Sequence, residues 1–405
     1  MRSVEEHLQS VLAGIEALQP LDVTLVEARG CVLAEDVTAP WPLPPFDNAS
    51  TDGYAVKAAD LMAASDGKPV VLRVIDDVPA GYRASVPLRE ATAIRVMTGA
   101  PLPEGAEAVV PLPWTDGGMP EVRVTRSVAR GAHVRRRGDD VGLGDLVATA
   151  GTVLSPRDIA LLAAVGRGRV LVHPQPRVVI ISIGSELVEP GAALTPGLIT
   201  DSNGVAIAAA VQEAGAIAYR VGPLPDDAST LLAALEDQLV RADLIVTTGG
   251  VSAGAYDTVK AVLSRLGTVE FTTVAMQPGM PQGHGTLGPE DTPIFTLPGN
   301  PVSAYVSFEI FVRPVIRRML GHPQVYRPVV RAVLAEALHS PKGRRQFARA
   351  QLLVEDGRYV VRPAGGQGSH MLGSLARANA LVVVPEDVTE LKPGTAVAVL
   401  RLDEV

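Results

Sequence analysis

The chain has 405 residues, 47% hydrophobic and 20% charged, with a net charge of −8. That length predicts two to four domains, and with 4% aromatic residues their cores must be built from Val, Leu, Ala and Ile. The acidic balance excludes broad nucleic-acid binding, no apolar run reaches the ~20 residues that span a bilayer, and a single cysteine, Cys31, excludes an internal disulfide and fits a reducing cytoplasm.

Residues 3 to 19 read as an acidic, amphipathic helix, unlike a signal peptide, with Ser3 and Glu6 forming a capping box. "APWPLPPFDNASTDGYAV" is too Pro-rich for a helix or central strand and reads as a linker into a new domain. The short runs "VVLRVI", "ATAIRVM", "AEAVVPL" and "EVRVTRSV" then predict a small β domain over 41–139. "SPRDIALLAAV" is an N-capped helix with Pro in its first turn. With residues 1–40, the stretch 140–173 makes an N-terminal mixed α/β domain. "RVVIISIG" has the continuous apolar character of a buried parallel strand. Helix 203–214, strand "AIAYRVGPL", helix 227–241, strand "DLIVTTGG" and helix 256–266 follow. This alternation predicts a doubly wound α/β domain over 174–321. The runs "RPVVRAVLAEAL", "QFARAQLLVEDGRYVVRP", "ALVVVPE" and "AVAVLRL" predict a C-terminal β domain over 322–405. The fold class is thus a multidomain α/β plus β chain.

Ligands of an open α/β sheet sit beyond the carboxyl ends of its strands. Those ends carry Glu186 in "SIGSEL", Asp201 and Asn203 in "TDSNG", Thr248, Gly249, Gly250, Ser252 and Asp257 in "TTGGVSAGAYD", and Pro298, Asn300 and Pro301 in "LPGNPVSA". Gly and Ser/Thr there let backbone N–H groups face an anion. Each loop alone reads more readily as a cap or a tight turn; four together point to a phosphate-containing ligand. Outside this domain, "DNASTDGYAV" holds Asp52, "RVMTGAP" holds Thr98, and "HVRRRGDDV" holds Arg135 and Asp140. The seven histidines show no zinc-ligand spacing, and Cys31 sits in an apolar stretch that reads as a buried inert thiol.

The ordered set "DN…DGYAV", "MTGAP", "RRRGDD", "GSEL", "DSN", "TTGGVS", "PGMP" and "LPGNPVSA" resembles the molybdopterin molybdenumtransferase family, the MoeA and gephyrin E-domain group, over essentially the whole chain. The resemblance implies an elongated four-domain subunit in a homodimer whose active site lies between subunits. It implies insertion of molybdenum from molybdate into adenylylated molybdopterin, whose dithiolene carries copper, with release of AMP and use of Mg²⁺. It also implies catalytic roles for Asp52, Glu186 and Asp257, metal-binding roles for Asp140, Glu186 and Asp257, and a substrate-binding role for Asp201. Thr98 and Ser252 would position substrate, Arg135 would bind an anion, and Ser369 in "GQGSHMLG" matches a ligand-facing segment. A cytoplasmic location and a molybdopterin adenylyltransferase as a partner belong to the same expectation.

The chain departs from that pattern at "MQPGMPQG", residues 276–283. Much of the family reads K-P-G-K-P there, with lysines facing molybdate or phosphate; Gln277 and Met280 stand in their places. The uncharged form resembles that of actinobacterial members. No lysine lies between 261 and 341 to replace the two charges, so the sequence predicts a weakened anion site. Two alternatives stay open beside the active enzyme: a catalytically weakened binding or scaffold member, and a tungstate-using variant. The adenylyltransferase step itself would need only the α/β domain, so the long flanking domains argue against it.

Overall fold

Ser3 starts the first helix as its spacing predicts. Its hydroxyl accepts from the Glu6 N–H, and the Glu6 carboxylate accepts from the Ser3 N–H. The helix runs Val4–Leu12 and ends well before residue 19, where Gly14 turns at a φ of 74°. The computed structural model describes residues 1–250 and 255–403; of 255–258 it describes the backbone alone.

The chain folds into two units. One comprises Met1–Asp22, Gly30–Ala34 and Leu171–Val405; the other comprises Val23–Arg29 and Glu35–Val170. The second unit contains the predicted small β sheet. Its strands lie in the order Ala108–Pro111, Gly53–Val56, Thr92–Val96, Val70–Val78 and Glu121–Val124. The Gly53–Val56 strand lies between two others and is buried on both faces. Tyr54 and Val56 join one apolar cluster and Ala55 the other. Gly53 is therefore more than the second half of an Asp-Gly turn: a Cβ there would lie 1.9 Å from the Val110 carbonyl oxygen. Gly53→Ala is expected to cost about 2 kcal/mol or more, because backbone must move to admit the methyl. A urea midpoint equal to that of the wild type would contradict this. The predicted helix Pro156–Ala164 also forms here, capped by Ser155.

The first unit is built on a six-stranded sheet. Its order is Ile217–Leu224, Arg177–Ile183, Leu244–Gly249, Thr292–Leu297, Pro281–Leu287 and Gly267–Thr273. The first four strands run parallel, Pro281–Leu287 runs antiparallel to them, and Gly267–Thr273 returns to their direction. Helices cover both faces. Ile207 and Val211 of Ser202–Glu213 pack on Ile180 and Val246, while Leu231 and Leu235 of Ala228–Leu239 pack with Ile181 and Ile245. This is the doubly wound arrangement that the alternation predicts. One strand escapes sequence reading: "PQGHGTL" looks like a Gly-rich loop yet forms Pro281–Leu287. Gly285 is needed there because a Cβ would lie 1.9 Å from the Thr268 carbonyl oxygen.

Beyond the helical run Pro301–Met319, the strands Arg345–Glu355, Arg358–Pro363, Val329–Leu334, Ala396–Arg401 and Ala380–Val384 pair in that order. The last pairs back to the first and closes a β-barrel. Small residues such as Ala348, Ala350 and Ala380 help fill its interior. No helix among the described residues is long and apolar enough to cross a membrane. Cys31 is buried, and burial raises its thiol pKa, which fits an inert role.

Candidate active site

The sheet order places Arg177–Ile183 between the strand that follows it and Leu244–Gly249, so the chain reverses direction across the sheet at this point. That crevice is where an open α/β sheet accepts ligands. Ser182 and Thr248 sit in register at the carboxyl ends of these two strands, both buried, with hydroxyls 3.4 Å apart. Gly249 and Gly250 follow at φ 85° and 69°. A Cβ on Gly249 would lie 2.2 Å from the Ile183 carbonyl oxygen, so the turn depends on glycine to stay against the neighbouring strand. Ser252 lies outside the described residues. Asp257 falls in the helix Ala255–Leu266, with its side chain outside them.

The other predicted loops gather at the same edge. Gly299 faces the Gly249 Cα at 3.6 Å from where a Cβ would stand. The Asn203 amide donates to the Gly299 carbonyl at 2.8 Å, tying the start of helix Ser202–Glu213 to the segment Pro298–Pro301. Asp201 caps that helix. It is 1% exposed, and both oxygens are engaged, one by the Gly204 N–H and one by Arg220, each at 2.9 Å. Asn300 is exposed and caps the next helix without a side-chain bond, with Pro301 in the first turn. The Ser369 carbonyl accepts from the Val302 N–H at 3.1 Å, which brings the segment "GQGSH" onto this helix start. Arg349, wholly buried, secures that segment by donating to the Gly366 and Gly368 carbonyls.

Glu186 is exposed and folds back over Gly184, close enough that a Cβ there would meet its carboxylate at 2.7 and 2.8 Å. Beside it stands a carboxylate that sequence reading passed over. Asp226 accepts from the Ser185 N–H at 3.2 Å and donates its own N–H to the Ser185 hydroxyl at 3.1 Å. Its other oxygen, Oδ1, is buried without a partner among the described residues. A buried carboxylate oxygen with an open acceptor position is costly unless a ligand or water completes it.

In the other unit, Asp52 is exposed and accepts from both the N–H and the hydroxyl of Thr98, each at 2.7 Å. Those two bonds, the backbone one foremost, hold its carboxyl below the usual range, so it stays ionised. Arg135 is exposed and pairs through its backbone with Asn48; Asp140 is exposed as well.

Known families cover nearly the whole chain. The MoeA N-terminal region (domain I and II) matches residues 2–166, the probable molybdopterin binding domain matches 179–318, and the MoeA C-terminal region (domain IV) matches 331–402. A Mycobacterium tuberculosis protein named molybdopterin molybdenumtransferase 2 is 48% identical over 408 residues, 99% of this chain and all of the relative. A Bacillus subtilis molybdopterin molybdenumtransferase is 35% identical over 94% of this chain and 90% of its own length. The chain belongs to the molybdopterin molybdenumtransferase family. A solved molybdopterin biosynthesis MoeA protein from Pyrococcus horikoshii is similar over 100% of this chain and 99% of its own. Its TM-score is 0.81 and its identity 33%.

Within this molybdenumtransferase fold, the turn "MQPGMP" lies at the carboxyl edge of the sheet. Gly283 pairs with Thr296, one residue before its strand ends at Leu297, and on the other side Pro281 pairs with Thr273. The backbone of the turn is fixed without any charge of its own. The Met280 carbonyl accepts from the Val274 N–H, and the Gln282 amide donates to the Gly279 carbonyl and the Ser307 hydroxyl. Gln277 faces Arg344, whose guanidinium is 3.4 Å from its amide oxygen. Among the described residues no three His, Cys, Asp or Glu side chains converge to hold a metal alone. Mg²⁺, however, commonly takes only one or two carboxylates together with substrate phosphates and water. The hard oxygens of Glu186 and Asp226 suit that donor set.

Proposed function

We propose that the protein inserts molybdenum from molybdate into adenylylated molybdopterin and releases AMP. The observation that carries this reading is the meeting of the "TTGG", "LPGNP" and "GQGSH" segments at one sheet edge, in a chain 48% identical over its length to a molybdopterin molybdenumtransferase. The Thr248–Gly250 backbone and the Asn300 and Ser303 N–H groups stand where the anionic part of the substrate would sit, and Ser369 borders the same place. Glu186 and Asp226 would hold Mg²⁺, with Asp257 as the further carboxylate of this unit implied by the family. Bound Mg²⁺ supplies charge neutralisation at the phosphoanhydride. In the other unit, the family implies a catalytic role for Asp52, kept ionised by Thr98, an anion-binding role for Arg135 and a metal-binding role for Asp140. The protein acts in the cytoplasm, with a molybdopterin adenylyltransferase as the partner that supplies its substrate.

The direct test supplies purified protein with adenylylated molybdopterin and Mg²⁺ and follows AMP. Release that depends on molybdate is the expected result. No AMP under these conditions would reject the reading in favour of a scaffold member, and preference for tungstate would change the substrate.

The active species is a homodimer. Leu143 and Leu146 stand 66% and 55% exposed within a few residues of each other, apolar surface that a second copy would cover. Light scattering at assay concentration is expected to give twice the chain mass, and a fully active monomer would refute it.

A further inference from the structure

We infer that Arg220 is a positioning residue for this reaction. It latches the stem of the surface flap 187–200 to the start of helix Ser202–Glu213, and so holds Glu186, at the root of the flap, in place. The inference rests on the functional reading above and adds to it a residue that acts through its neighbours.

Glu186 and Asp201 are the two ends of one excursion of the chain. Leu187–Val188 leads out from Glu186, Ile199–Thr200 returns beside it in parallel, and Asp201 follows. The stem has few bonds of its own. The Ile199 N–H donates to the Glu186 carbonyl at 2.8 Å, and the Asp201 N–H donates to the Val188 carbonyl at 2.9 Å. Residues 189–197 beyond it are all exposed. A two-residue pairing at the surface opens readily unless something clamps it. Arg220 supplies the clamp. It lies on the edge strand Ile217–Leu224, and its Nη2 donates to the carboxylates of Glu189 and Asp201, each at 2.9 Å. One guanidinium nitrogen thus joins the residue after the outgoing strand to the residue after the returning one. Two glycines clear the space for it. A Cβ on Gly204 would lie 2.7 Å from the Arg220 Nε, and one on Gly222 would lie 3.0 Å from the Glu189 Oε1. The two carboxylates differ in what they need. The Asp201 side chain is 1% exposed and requires a cation beside it, whereas that of Glu189 is 49% exposed and water alone would satisfy it. The Glu189 contact is therefore dispensable for the stability of the fold. What it fixes is the flap stem, whose first rung is the backbone of Glu186.

The test uses the full-length protein and two readouts. One is hydrogen exchange of the 187–201 segment without ligand, and the other is the Mg²⁺ concentration that gives half-maximal AMP release. Glu189→Gln opens the latch on its exposed side and leaves the Asp201–Arg220 pair intact. It is expected to speed exchange of the segment about threefold, in keeping with the worth of a half-exposed ion pair. The Mg²⁺ requirement should rise about tenfold, as it does when a metal ligand loses an outer partner, with the melting temperature unchanged. Arg220→Gln removes the same contact from the other side, so adding Glu189→Gln to it should change neither readout further. If Arg220→Gln does not fold, because it strands the buried Asp201, Glu189→Gln decides alone. Wild-type exchange in Glu189→Gln, faster exchange with an unchanged Mg²⁺ requirement, or additive effects in the double variant would each overturn the positioning role and leave the functional reading intact. A wild-type protein that releases no AMP with molybdate and Mg²⁺ would overturn the functional reading, and the positioning role with it.

Discussion

Asp226→Asn is expected to lower molybdate-dependent AMP release by about 100-fold or more, with the melting temperature close to that of the wild type. The substitution separates charge from shape. Asparagine can still accept from the Ser185 N–H, and the backbone N–H of residue 226 still reaches the Ser185 hydroxyl. Only the negative charge and the buried, unpartnered Oδ1 are altered. If that oxygen merely faces a water, the amide should be tolerated with little change in rate. If it helps hold Mg²⁺ or orient substrate beside Glu186, the loss should be large and should appear in turnover more than in stability. Wild-type turnover in Asp226→Asn would take the residue out of the site.

Why Asp226 was not legible is instructive. "PLPDD" reads as a turn followed by a helix cap, and Asp227 does cap Ala228–Leu239. It accepts from Ser229 and Thr230, bonds that pull its carboxyl down to about 2. The capping signal accounted for both aspartates, although only one performs it. Local chemistry served well elsewhere. The continuous apolar runs of the parallel strands, the Ser3 and Ser155 capping boxes and the glycines of "TTGG" each carry their structure in a short window. The strand Pro281–Leu287 does not, because its glycines answer to the neighbouring backbone at Thr268. Arg344 was equally hidden. A search for lysines near Gln277 along the sequence finds none from 261 to 341, whereas the sheet pairing brings in residues 345 and 346, next to Arg344. The position of a charge relative to a site is a tertiary property, and composition around the loop does not report it.

The histidine pair was invisible in the sequence for the same reason, and it yields a pH prediction of its own. His7 is 1% exposed, with its ring 4.9 Å from that of His284 and 4.6 Å from that of Phe311. The His284 Nε2 lies 3.0 Å from the Ser10 hydroxyl, and neither Nδ1 has a partner among the described residues. Burial, reinforced by His284 and Arg2, pushes His7 down to about 3, and burial lowers His284 as well. A histidine whose folded pKa is depressed is neutral in the fold and takes its proton first in the unfolded chain. Its contribution to stability is therefore complete above pH ~6.5 and is lost steadily as the pH falls toward 3. For His7 the full loss is on the order of 5 kcal/mol at 1.36 kcal/mol per pH unit. Carboxylates such as Asp227 weaken wild type and variant alike only as pH falls toward their own low values, so the window from pH 7 to 4 isolates the histidines. His7→Leu keeps an apolar group of similar size against Phe311 and forfeits no hydrogen bond at Nδ1. Urea midpoints of the two proteins should nearly coincide at pH 7.5. They should then separate as the pH is lowered, with the leucine variant the more stable by about 2 kcal/mol or more at pH 4.5. Parallel curves across that range would mean that the buried ring takes up its proton without cost, and that the Arg2–Glu270 pair nearby, joined at 2.7 Å, compensates it.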